Sequence, residues 1–251
     1  MLKIITSLAL FLAGLAAQAQ TEERSVQPFT KIEMSGTIEL IYTEGTEATL
    51  RVESDTEENL ANLLTEVRGN TLKISRAGNA DFPAKVYIEG SALESVKASG
   101  ASKIAVTNQI STPEITIGLS EGSRFSGNVL TEGIINLKAK SGSVFNIRTK
   151  SKKLNGKFRD GSKINLSGTS GTASLFASDR AFCNARNFTT DKVEITASTE
   201  ANVLVHAGDE IVVTASEMAK VTYYGKPEHV SLSREILSSM NNKEGEMITA
   251  N

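Results

Sequence analysis

The stretch Ile135-Asn-Leu-Lys-Ala-Lys-Ser-Gly-Ser-Val-Phe-Asn-Ile147 decides the fold. Its two apolar-polar alternations have the period of a β-strand, which sets Ile135, Leu137, Ala139, Phe145 and Ile147 on one side and Asn136, Lys138 and Asn146 on the other. Lys140-Ser-Gly-Ser143 between them reads as a tight turn. Working outward from Ser143, the same unit recurs with its small residue at Ser102, Ser123, Ser143, Ser162, Ala181, Ala201 and Ala219, at spacings of 21, 20, 19, 19, 20 and 18. Two residues after each anchor stands Ile104, Phe125, Phe145, Ile164, Cys183, Val203 or Val221. Four before it stands Ala98, Leu119, Ala139, Phe158, Ala177, Ala197 or Ala215, and six before it Val96, Ile117, Leu137, Gly156, Leu175, Ile195 or Val213. A unit this short cannot bury its own apolar face, so copies must stack. The reading is an all-β parallel β-helix, a solenoid of about seven or more 20-residue coils with neighbours about 4.8 Å apart. The fixed Leu and Asn positions of leucine-rich repeats are missing, and an antiparallel β-sandwich, the rival reading, has no need of matched columns.

Composition fits a core of Ile, Val, Leu and Ala: 251 residues, 39% hydrophobic, 5% aromatic and no Trp. The net charge of −2 gives no basic surplus for nucleic acid, and no aromatic-plus-Arg motif for reading RNA is present. Residues 1–19 read as a signal peptide: Lys3, the apolar run Ile4 to Ala17, and the small-x-small site Ala17-Gln-Ala19. That run is short for a membrane span, which takes about 20 residues, and no second one follows. Export to the periplasm or the cell surface is therefore expected. The lone Cys183 sits in an interior column, where a small apolar residue is expected, and one cysteine cannot make an internal disulfide.

Residues 20–28 are polar and are expected to be flexible. Residues 29–92 are expected to supply strands and one short helix. Leu60, Leu63, Leu64 and Val67 fall at i, i+3, i+4 and i+7 after a capping-box pattern at Ser54 or Asp55, and Gly69 suits a helix stop. Regular coils then occupy 93–225. The remainder, 231–251, would cap the solenoid or form a tail, with Arg234 to Met240 open to strand or helix. Open solenoid ends are unpaired strand edges, so a homo-oligomer through ends or flat faces is one possible assembly.

Few residues suggest chemistry. Asp160 and Asp179, two before their anchors, would be neighbours in the stack and are the candidate metal-holding or proton-sharing pair; as turn residues they need no such role. His206 and His229 lack metal-ligand spacing. No nucleophile elbow or phosphate loop occurs. No catalytic residue and no cofactor are expected. A carbohydrate-active enzyme, the alternative that β-helices raise, would rest on Asp160 and Asp179. The candidate binding residues form a basic stretch: Lys138, Lys140, Arg148, Lys150, Lys157, Arg159 and Lys163. It would attract an anionic glycan, or else only solubilise the solenoid.

Several landmarks follow one order. They are Phe29-x-x-Ile32-x-x-x-Gly36-x-x-x-Leu40, Val67-Arg-Gly69-Asn followed by Leu72-x-Ile74, the corners Ala98-Ser-Gly-Ala-Ser, Lys140-Ser-Gly-Ser and Arg159-Asp-Gly-Ser, and the close Val221-Thr-Tyr-Tyr-Gly225-Lys-Pro227. In this order the chain resembles the head GIN domain family, a group labelled auto-transporter adhesins, over about residues 29–230. The later corners depart from it, with Asp179-Arg-Ala, Thr199-Glu-Ala and Glu217-Met-Ala in place of Ser-Gly-Ser. The resemblance implies an exported β-helical protein of adhesin-like role with no catalytic residues. The expected function is an envelope protein presenting an extended face to a glycan or a cell-envelope protein; a self-associating structural element is the second expectation.

Overall fold

The computed structural model describes residues 20–78, 81–233 and 247–249. The N-terminal part comprises β1 (Gln20–Arg24), β2 (Lys31–Met34), β3 (Ile38–Glu44), β4 (Thr49–Ser54), α1 (Glu57–Asn62), β5 (Leu63–Arg68), β6 (Thr71–Arg76) and β7 (Ala84–Gly90). The coils follow as β8 (Ser95–Ala98), β9 (Lys103–Ser111), β10 (Glu114–Leu119), β11 (Arg124–Leu130), β12 (Ile134–Ala139), β13 (Val144–Phe158), β14 (Lys163–Ala177), β15 (Phe182–Ala197) and β16 (Asn202–Ala215). β17 (Lys220–Tyr224), β18 (His229–Leu232) and β19 (Met247–Thr249) close the order.

These strands build a β-solenoid of about seven turns. Its wall consists of two ladders. The first runs β6-β2-β8-β10-β12 and on through the C-terminal halves of β13 to β16, all parallel. The second runs β7-β3-β9-β11 and on through the N-terminal halves of β13 to β16, then β17. The anticipated columns are register partners: Ile117 pairs with Leu137 and Leu119 with Ala139, then Leu137 with Gly156 and Ala139 with Phe158. Across the corner, Phe125 pairs with Phe145, Phe145 with Ile164, and Ile164 with Cys183. Phe125, Phe145, Phe158, Ile164 and Cys183 have no exposed surface, and the rings of Phe125 and Phe145 lie 6.0 Å apart at 56°.

The corner itself is a turn with two successive residues in the left-handed region. Pairs such as Glu121 and Gly122 (φ 54° and 73°), Ser141 and Gly142 (52° and 69°), and Asp179 and Arg180 (55° and 61°) repeat the geometry at every coil. In each of these three the residue after the pair returns a hydrogen bond to the residue before it, as from Ser123 N to Ser120 O at 3.1 Å. The corners also stack: Gly122 N donates to Ser141 O, Gly142 N to Asp160 O, and Gly161 N to Asp179 O. The anchor residue folds inward and is fully buried in all seven coils. Ser123 and Ser143 place their hydroxyls usefully there. Ser123 Oγ donates to Ala98 O at 3.0 Å and accepts from Ser120 N at 3.1 Å, and Ser143 Oγ does likewise with Leu119 O and Lys140 N. Ser102 and Ser162 have no such partner.

Three features of the N-terminal end go beyond or differ from the sequence reading. First, β6 and β7 lie outside β2 and β3, so the earliest strands are the second coil in space. Second, within residues 20–28, expected to be flexible, Gln20–Arg24 form β1, which pairs antiparallel with β4. Third, the helix stops at Asn62, and Thr56 rather than Ser54 or Asp55 is its N-cap, accepting from Asn59 N. Leu63–Arg68 is a strand that pairs antiparallel with β6 through a two-residue Gly69-Asn70 turn. Leu63 and Val67 satisfy both periods, and Leu64, which only the helix would bury, is 48% exposed. Strand pairing supplies the tertiary contact that outweighs the local helix pattern. At the other end β18 adds to β16 and β19 pairs antiparallel with β17. The segment 234–246 lies outside the described residues, as do residues 1–19, expected to be a signal peptide.

Candidate functional site

Every second residue of the first ladder points outward. In the column five before each anchor these are, coil by coil, Lys73, Glu33, Lys97, Gly118, Lys138 and Lys157, each in register with the next. Two residues further along the strand lie Lys140 and Arg159. Together they line a shallow groove of about 620 Å³ that crosses the coils, floored by the backs of core residues such as Ala98, Leu119 and Ala139. Glu33 is the one carboxylate in its lining, between Lys73 and Lys97 in the column. None of the ion pairs among the described residues includes Lys97, Lys138, Lys140, Lys157 or Arg159. Lys157 lies 5.7 Å from the centre of the Phe176 ring, its neighbour in the next coil. Lys138 and Lys157 are register partners, and like charges placed directly opposite one another in a sheet repel.

The structure thus divides the basic stretch. Lys138, Lys140, Lys157 and Arg159 converge on the groove, whereas Arg148, Lys150 and Lys163 lie beyond the corner on the second ladder. Arg148 there borders a polar groove of about 460 Å³, in which Asn165 Nδ2 donates to Asn146 Oδ1 at 2.8 Å. Lys97 and Lys73 complete the first groove. They are 41 and 65 residues before Lys138, and only the column alignment, extended backward, could have found them.

The acidic candidates occupy another place. Asp160 and Asp179 are corner residues, φ 52° and 55°, whose main-chain carbonyls accept the stacking bonds from Gly142 and Gly161. Asp160 is exposed, and the Asp179 carboxylate accepts from Ser178 Oγ at 2.6 Å. Among the described residues no group of three His, Cys, Asp or Glu side chains is placed to hold a metal. His206 is partly buried on the second ladder and His229 is exposed on β18. Cys183 is wholly buried, and loss of solvation pushes its thiol up to about 12, which keeps it protonated and unreactive at neutral pH.

The chain is a two-ladder β-solenoid whose first ladder carries a cationic groove. The family described as "Putative auto-transporter adhesin, head GIN domain" matches residues 28–227, and the chain belongs to it. Solved structures share the fold. A putative adhesin from Parabacteroides merdae superposes with a TM-score of 0.73 at 15% identity, covering 87% of this chain and 98% of its own. A putative adhesin from Bacteroides fragilis gives 0.64 at 19% identity over 86% and 93%. A protein from Parabacteroides distasonis described as a putative lipid binding protein gives 0.70 at 20% identity over 86% and 94%. No curated protein matches the sequence.

Proposed function

We propose that this adhesin-family solenoid is exported and acts without catalysis, presenting the groove of its first ladder to an acidic glycan at the cell envelope. The observation that carries this reading is the convergence of Lys97, Lys138, Lys140, Lys157 and Arg159 on one groove with no carboxylate bridging them. Export is supported by the charged, apolar and small-x-small order of residues 1–19. The binding role is favoured over hydrolysis because glycoside cleavage takes two facing carboxyl groups, and the groove lining includes only Glu33.

Retention on immobilised heparin tests the proposal. The protein is expected to bind at low salt and to elute as salt screens the lysines. The double variant Lys138→Glu/Lys157→Glu should weaken binding about tenfold or more, because like charge then faces the ligand. Lys150→Glu/Lys163→Glu makes the same change in net charge on the other ladder and should remain close to the parent. Equal losses in the two variants would show that only overall charge matters and would remove the groove from the account.

A further inference from the structure

One position in the cationic column has no side chain. Gly118 lies in register between Lys97 and Lys138. The two lysines are therefore two coils apart, about 10 Å, with bare backbone between them. Neither packing nor conformation demands glycine there: a Cβ built on Gly118 would meet no atom within 4 Å, and its φ is not positive. A glycine inside a strand weakens it, and one with no local reason marks a place where something else approaches the backbone closely. Here that place has a cation on each side, with Ser99 and Ser120 along its border.

Building on the acidic-glycan reading above, we infer that Gly118 is the seat for one anionic group, a carboxylate or sulfate, of a linear acidic polysaccharide, clamped between Lys97 and Lys138. The chain runs along the solenoid axis, so that its next charged group meets Lys157 with Lys140 and Arg159. On the other side of Lys97 the next outward residue is Glu33, which disfavours a second anionic group at that coil although Lys73 lies beyond it. A linear polysaccharide fits better than a lipid headgroup because the cations recur along the axis at Lys97, Lys138 and Lys157, answering charges repeated along one ligand chain, whereas a headgroup brings a single phosphate.

The experiment compares the full chain with Gly118→Ala and Gly118→Glu in calorimetric titrations with a heparin hexasaccharide. Both side chains would enter open space, so equal melting temperatures are expected. The alanine variant, whose methyl group enters the seat, should bind about threefold more weakly than the parent, and the glutamate variant, which places the protein's own carboxylate between the lysines, should lose about tenfold or more. Glutamate and alanine variants losing affinity equally, or Gly118→Glu binding like the parent, would overturn the seat while leaving the groove reading intact. A parent chain without heparin affinity would instead overturn the groove reading beneath it. Binding to phosphatidylglycerol-containing vesicles that Gly118→Glu abolishes, with none to heparin, would reassign the seat to a lipid phosphate and overturn the polysaccharide.

Discussion

Gly156→Leu is expected to destabilise the protein by about 2–3 kcal/mol, although leucine is the residue that both neighbouring coils carry at that place. Leu137 and Leu175 flank Gly156 in register, and Ala139 and Ala177 flank Phe158 two residues on. This coil therefore exchanges volume between adjacent columns, a large side chain at 158 answering the absent one at 156. The Phe158 ring lies across the glycine: a Cβ there would be 2.5 Å from Phe158 Cζ and 3.0 Å from Leu175 Cδ2. Phe158→Ala alone should cost about 3–5 kcal/mol, since the buried ring leaves a cavity. Combined, Gly156→Leu/Phe158→Ala restores the Leu-Ala pattern of its neighbours and should be more stable than either single variant. Thermal and denaturant unfolding followed by circular dichroism measures all four proteins. A double variant that loses the sum of the two single losses would mean that the columns do not share space as described.

The second large effect is a gain. Replacing Arg180, Glu200 and Met218 together by glycine should raise stability by about 2–3 kcal/mol, because non-glycine residues in the left-handed region carry a steric cost that outweighs glycine's greater unfolded-state freedom. All three occupy the second position of a corner, at φ 61°, 59° and 59°. Glycine holds the equivalent place in three earlier corners as Gly122, Gly142 and Gly161. The side chains removed are exposed, Met218 by 60%, and their main-chain N–H groups keep their work, as in the bonds from Arg180 to Thr199 O and from Glu200 to Glu217 O. An unchanged or lowered denaturation midpoint would contradict the strain assigned to these corners.

What was legible in the sequence was what repeats. The small anchor, the apolar columns at two after and at four and six before it, and the buried Cys183 all follow from a period of about 20 residues, and each reappears as a register partner or a buried side chain. What does not repeat was harder to read. Leu60, Leu63 and Val67 fit a helix stripe, and only the partner strand β6, outside the local window, turns Leu63–Arg68 into β-structure. That β6 and β7 stack outside β2 and β3 is a long-range choice with no local signature. A second buried polar column, Thr112, Thr131, Ser170 and Thr190, lines the other corner, where Thr190 Oγ1 donates to Gly171 O and Lys192 O; it keeps the same period of about 20 residues, but only the first corner was aligned in the sequence. The groove was half legible. Closeness along the chain grouped Lys138 with Lys150 and Lys163, but a corner separates them, whereas Lys97, far away in sequence, is two coils from Lys138.

The most direct test of the groove is lysine footprinting. The protein is acetylated with and without a heparin fragment, and each lysine is followed by mass spectrometry. If the first ladder holds the ligand, Lys97, Lys138, Lys140 and Lys157 should be protected while Lys150, Lys163 and Lys220 continue to react at their free rates. Protection of Lys150 and Lys163 instead, or uniform protection of every exposed lysine, would contradict the account.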